Sequence, residues 1–384
     1  MTIIIKIYIL LCAALLLFDI CFLVVKNRRN LVAYRTNEKL DRKIREEMEV
    51  FRENGRFSPD FPAQLHGELT KTRNLLTLEN LLEQQPQARA WFRTFFFGAM
   101  KEYAAKDDHE QAYYTYCLSL FDYRAEKPSA EFVDSLLNFL DTKSLYTFSN
   151  TMNCLYAIGL TQPLLRALEK IDQRQGFYHK KLLVDGLLTV QQEGDELDRS
   201  LTAGFGSYSP WMQDCLLDYF RLKGTNASEL CLNIISGDRA DTQVGYSAMR
   251  YFAKYPSPES RVCFLSVLAD DSASWVRQML AIQALGRYED AEVRGAIFKK
   301  VTNANWYIRV NAVHYLGEKG LSRDEVFNLL YLRDRYANDS LLYQFRGDRE
   351  MTRYIVDTIR LLELQDSTAE ISEHPDAQCA GATV

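Results

Sequence analysis

The chain repeats itself every 32 residues, and few architectures accommodate that. Phe148 begins FSNTMNCLY, Lys180 KKLLVDGLL, Met212 MQDCLLDYF, Val244 VGYSAMRYF, Val276 VRQMLAIQAL and Ile308 IRVNAVHYL, each start 32 residues after the last. Leu188, Phe220, Phe252 and Leu316 close four of these segments eight residues on; the Val276 unit needs nine, at Leu285. The Phe148 segment is the weakest member, because it runs on to Ile158-Gly159. Between them lie second apolar segments, PLLRALEKI, ELCLNIIS, RVCFLSVLA and EVRGAIFKKV, and short turns such as SGDRAD, YPSPES, ADDSAS and GRYEDA. A two-helix unit of this length cannot bury its apolar faces alone, whereas stacked copies can. Strand-like alternation is largely missing, so the pattern predicts an all-α solenoid.

The two clearest units resemble HEAT repeats of the short bacterial kind. Asp271, Trp275, Val276, Arg277, Ala281, Ala284, Leu285 and Gly286 carry the resemblance in one unit. Asn303, Ile308, Arg309, Ala312, Leu316 and Gly317 carry it in the next, with Asn303 in place of the family's Asp. Upstream, Gln213 and Gly245 stand where the Arg is expected, so the likeness is good over 230–320 and fades to a bare period over 148–229. The resemblance implies a right-handed α-solenoid of helix pairs. It also implies that Asp271, Arg277, Asn303 and Arg309 form a structural ladder between adjacent turns, and that second helices line a concave, partner-binding face. Residues 57–147 read as helical without showing the repeat, 148–365 hold the repeats and closing helices, and 366–384 are too poor in large apolar residues to order.

Trp275 and Tyr307 share one phase, just before the second helix, with Trp211 two periods earlier and Trp306 next door. Such aromatics either staple a helix start or form a binding stripe, since Trp, Tyr and Arg are the usual interface anchors. On the second reading the partner contacts are Trp211, Trp275, Arg277, Trp306, Tyr307 and Arg309.

The first 25 residues add a second constraint. From Ile7 to Val25 only Asp19 is charged, and a bilayer span needs about 20 apolar residues. No small-x-small exit follows, so an uncleaved anchor is expected rather than a signal peptide. Lys26, Arg28, Arg29 and Arg35 follow the span with no acid before Glu38, which places the large domain in the cytoplasm and the amino terminus outside. Asp19 either meets another membrane segment or lies near enough the interface to be wetted. Residues 26–56 hold ten basic and six acidic side chains, a basic collar beside an acidic body in a chain of net charge −5. Within the collar, Leu40, Ile44, Met48 and Phe51 fall at helical spacing, for lipid, for a partner or for the protein's own domain.

Nothing in the sequence marks a reaction. The eight Cys include no CxxC pair and only five His are present, so metal-ligand spacing is absent and buried thiols are expected. TAGFGSYSP has a GxG with no GK[ST] after it, and DDHE at 107–110 reads as an acidic helix start. No cofactor and no nucleic-acid partner is expected from an acidic body. The expectation is a non-enzymatic, membrane-anchored cytoplasmic scaffold. It would dock a membrane-associated protein, as an accessory subunit of a membrane complex; a polysaccharide-synthesising glycosyltransferase is one such client. Two alternatives stay open. One is a HEAT-like enzyme of the lyase or DNA-glycosylase type, and the other is a sensor reading anionic lipid through residues 1–56.

Overall fold

The computed structural model describes residues 15, 18, 38–72, 74–75, 89–123, 128–174, 177–190 and 194–373. Apart from Leu15 and Phe18, the expected anchor at 1–25, with Asp19, therefore lies outside the described residues, as do Lys26, Arg28, Arg29, Arg35 and positions 374–384. Among the described residues every regular element is helical, and no helix is long and apolar enough to cross a membrane. The chain divides into two units, Met1–Leu197 and Asp198–Val384.

In the first unit, α1 is described over residues 38–54. Leu40, Ile44 and Met48 are buried, and Phe51 meets Phe57 at a centroid distance of 4.6 Å. Of the three uses open to this amphipathic segment, packing on its own unit is the one seen. There follow α2 (Phe61–Leu69), α3 (Arg89–Gly98), α4 (Met100–Ala104), α5 (Asp108–Ser119), α6 (Ala130–Asn138), α7 (Leu145–Ile158), α8 (Thr161–Gln173) and α9 (Lys180–Thr189). Helix α7 lies between α5 and α9, while α6 packs on α8.

The spacing of the cross-helix bonds shows why residues 57–147 hide their regularity. Asn150 Nδ2 donates to the Ala112 carbonyl across 38 residues, and Cys154 Sγ to that of Thr115 across 39. Arg166 reaches Asp134, and Arg174 the Thr142 carbonyl, across 32. The stacking continues upstream, but the longer connection between α5 and α7 breaks the period. Of the cysteines, Cys117, Cys154, Cys215 and Cys231 are buried thiols and Cys263 is half-buried.

The second unit is the more regular. Helix α10 (Glu196–Ala203) carries its first residue, Asp198, and precedes α11 (Pro210–Lys223), α12 (Ser228–Ser236), α13 (Gln243–Lys254), α14 (Pro258–Ala269) and α15 (Trp275–Leu285). Then come α16 (Ala291–Phe298), α17 (Trp306–Glu318), α18 (Arg323–Tyr331), α19 (Arg335–Phe345) and α20 (Arg349–Glu373). The last runs past residue 365, into the segment expected from composition to lack order.

Helices α11, α13, α15, α17 and α19 pack each on the next as one layer. Helices α12, α14 and α16 do so in a second layer, in which α18 packs on α20. Antiparallel hairpins join the layers: α12 with α13, α14 with α15, α16 with α17 and α18 with α19. The buried stripe of the first layer is what the repeat encodes: Met212, Leu216 and Phe220, then Val244, Ala248 and Phe252, then Ile308, Ala312 and Leu316. The extra residue in the Val276 unit shifts its phase. Ala281 and Leu285 are buried, so Arg277, one place after Val276, aligns with Ile308, and Gln278 aligns with Arg309.

Successive hairpins are bolted together at the edge where each first-layer helix ends. The Tyr251 hydroxyl donates to the Thr225 carbonyl (2.9 Å), Tyr288 to that of Ser257 (2.6 Å) and Tyr315 to that of Tyr288 (3.3 Å). Arg261 grips Asp290 with two bonds of 2.9 Å, and Arg294 grips Glu325 likewise. Paired forks fix geometry as well as adding energy.

The Arg261 guanidinium, with the Val293 amide, holds the Asp290 carboxyl down at about 2. An unfolded Asp titrates near ~3.9. A carboxyl depressed in the folded state stabilises fully above the unfolded value and loses that contribution as pH falls towards the folded one. The gap in urea midpoint between wild type and Asp290→Asn should therefore be constant above pH 5 and shrink steadily between about pH 4 and pH 2. A gap that does not change with pH would refute the assignment.

Candidate interaction edge

The opposite edge of the second unit collects the turns that lead from the second layer into the first. Each helix starting there is capped from the sequence: Ser209, Thr242, Ser274, Asn305 and Asp334 accept bonds from the backbone amides of the first turn. The cap fixes where the next side chains point, and those are the aromatics. Trp211 stands two places after Ser209, Trp275 one after Ser274, Trp306 and Tyr307 one and two after Asn305.

Three of the four come together. Trp275 stacks on Tyr307 at 4.8 Å and 20°, and Trp306 meets the same tyrosine edge-on at 5.0 Å and 78°. They remain 43%, 55% and 48% exposed, so this is a surface cluster rather than a core one. Trp211 is half-buried two hairpins away and does not share the stack.

The two arginines do different work from the aromatics. Arg309 is buried and donates to the carbonyls of Asn303 (2.6 Å) and Ala304 (2.8 Å) in its own turn. Its guanidinium lies 5.0 Å from the centre of the Tyr336 ring on α19. It supports the surface from beneath and is not itself accessible to a partner. Arg277 is half-buried, and its phase gives the turn-facing position to Gln278, which donates to the Ala273 carbonyl (3.0 Å). Gln213 does the same for Phe205 (3.1 Å) and Tyr208 (2.9 Å). At Gly245, the equivalent place, the Arg239 and Ala240 carbonyls come so close that no Cβ fits. One recurrent position thus manages the inward carbonyls of these four turns, by donation or by vacancy.

Of the residues expected to form the ladder between turns, Asp271 supplies a rung, and the other rungs seen use residues other than Arg277, Asn303 and Arg309. Arg239 donates to Gln213 Oε1 (2.6 Å), Ser274 to Asp241 (2.6 Å) and Lys300 to Asp271 (3.3 Å). Asn303 stays local, accepting from the Asn305 amide (2.8 Å). The Ser274 and Tyr246 hydroxyls hold the Asp241 carboxyl below its ordinary range, and Ser272 does so for Asp270. Both therefore stay ionised at neutral pH.

Tyr336 belongs to this surface and is 64% exposed. It follows its cap, Asp334, by two places, as Tyr307 follows Asn305. Counting from caps would have found it; counting by 32 does not, because the α18–α19 turn is short. Among the described residues no group of three or more His, Cys, Asp or Glu side chains is placed to hold a metal ion. The chain matches no protein-family model and no curated protein.

Proposed function

We propose that the protein is a membrane-anchored scaffold: a right-handed HEAT-like α-solenoid, held at the cytoplasmic face by residues 1–25, that docks a membrane-associated protein. It serves a membrane complex as an accessory subunit rather than catalysing a reaction. The observation that carries this reading is the exposed, mutually braced cluster of Trp275, Trp306 and Tyr307, with exposed Tyr336 on the next first-layer helix. Large rigid aromatics at a surface are the usual binding anchors, and monomer surfaces seldom keep contiguous apolar patches without a use. The 32-residue stacking, the buried stripe and the anchor-like first 25 residues support the remainder of the reading.

The test is crosslinking in cells followed by affinity capture from detergent-solubilised membranes. Wild type is compared with a Trp275→Ala, Trp306→Ala, Tyr307→Ala triple variant whose helicity has been checked. One abundant membrane protein should co-purify with wild type and fall at least tenfold in the variant. Equal capture by both, or no specific partner with either, would refute docking through this cluster.

A further inference from the structure

The charges on the candidate edge are sorted along it. The turns run in space as they do in sequence, because Ser274 reaches back to Asp241, Lys300 to Asp271, and Arg309 lies against Tyr336. The first two turns, residues 237–242 and 270–274, hold Asp238, Asp241, Asp270 and Asp271 against Arg239, a net of −3, with Arg277 in the first turn of α15 also acting on Asp241 and Asp270. All four carboxylates are at exposed positions. The next two, residues 299–305 and 332–334, hold Lys299, Lys300 and Arg333 against Asp334, and Arg335 opens α19 directly after them, a net of +3, with Lys300 buried against Asp271 and Arg333 donating to the Leu362 carbonyl (2.6 Å). Asp334 faces inward as a helix cap, accepting from the Ala337 amide (2.9 Å), while Lys299 and Arg335 are exposed. The aromatic cluster sits where the sign changes: Trp275 follows the second acidic turn and Trp306 the first basic one.

We infer that the partner segment docked on this edge is an extended bipolar peptide: cationic side chains over Asp238–Asp271, an apolar or aromatic centre on Trp275 and Tyr307, and carboxylates over Lys299–Arg335. This rests on the scaffold reading above and adds to it the chemistry and polarity of the partner. Charges at an interface rim set orientation and exclude wrong partners more than they add affinity. A uniformly acidic ligand would meet like charge at one end, and a uniformly basic one at the other. Nucleic acid and an anionic lipid surface fail on the same ground.

The full chain in detergent, with three fluorescent probe peptides of equal length and a shared Trp-Pro-Leu centre, tests this by anisotropy. One probe carries Lys on one side and Glu on the other, one carries Lys on both, and one Glu on both. The bipolar probe should bind at least tenfold tighter than either uniform probe, with the preference shrinking as salt rises. Asp270→Lys with Asp271→Lys takes the acidic half of the edge from −3 to +1, so the bipolar preference should collapse and the all-Glu probe should gain most. A wild type that ranks the three probes equally, or a double variant that keeps the bipolar preference, overturns the polarity. The aromatic triple variant separates the two ideas. If it abolishes binding while charge changes leave the ranking untouched, docking stands and polarity falls. If it leaves binding of every probe unchanged, the docking surface falls with it.

Discussion

Replacing Gly245 by alanine should destabilise the second unit by about 3 kcal/mol, at the upper end of overpacking costs. The new Cβ would stand 2.3 Å from the Ala240 carbonyl oxygen and 2.5 Å from that of Arg239. Both obstacles are backbone, in a turn that also supplies the Ser274–Asp241 and Arg239–Gln213 rungs, so neither can swing aside as a side-chain tip would. Helix propensity pulls the other way, since alanine is better than glycine inside a helix by about 1 kcal/mol. Gly295, in α16, has nothing within 4 Å of its prospective Cβ, so Gly295→Ala isolates that gain. Urea denaturation of the pair should give opposite signs. A Gly245→Ala protein as stable as wild type would mean that the turn yields.

Asp198→Ala should cost a similar amount, about 3 kcal/mol, the low end for breaking a buried ion pair. Asp198 is 5% exposed and accepts from the Tyr219 hydroxyl (2.7 Å), Lys223 Nζ (2.8 Å) and Thr225 Oγ1 (2.8 Å). Burial, and then the neighbouring carboxylate, pushes the Tyr219 hydroxyl well above its ordinary range. Truncation leaves a tyrosine, a lysine and a threonine facing a gap, and stranded donors carry their full desolvation cost. Lys223 is partly exposed and recovers water, which keeps the cost below that of a sealed pair. Asp198→Asn retains an acceptor and should lose roughly half as much. Equal losses for Ala and Asn would show that charge, not hydrogen bonding, sets the value; a loss near zero for Ala would refute the network's role. Chemical denaturation of both variants settles the order.

The legibility of the candidate edge varied residue by residue. Trp275 and Tyr307 share a phase in the sequence and Trp306 adjoins Tyr307, and the stack joins them because adjacent hairpins place one phase side by side. Trp211 shares that phase too, yet the α12–α13 hairpin and α14 lie between it and the stack. Arg277 and Arg309 look equivalent in the HEAT-like pattern. They are not, because one extra residue in the α14–α15 region rotates α15 by a position and hands the inward place to Gln278. Tyr336 was hidden by a short turn, and the regularity of residues 57–147 by a long one.

By itself, the sequence determined that the described residues are helical, where most helices of the second unit begin and which face of α11, α13 and α17 is buried. Those properties are local: caps, turn residues and 3.6-residue periodicity act within one or two turns of chain. Only the tertiary structure decided that α1 buries its apolar face in its own unit, that Arg309 supports the edge rather than lining it, and that acidic and basic turns lie in order along one edge. Each depends on which helix lies beside which. A shift of one residue in phase or a few in turn length, nearly invisible in composition, turns a side chain from solvent to core.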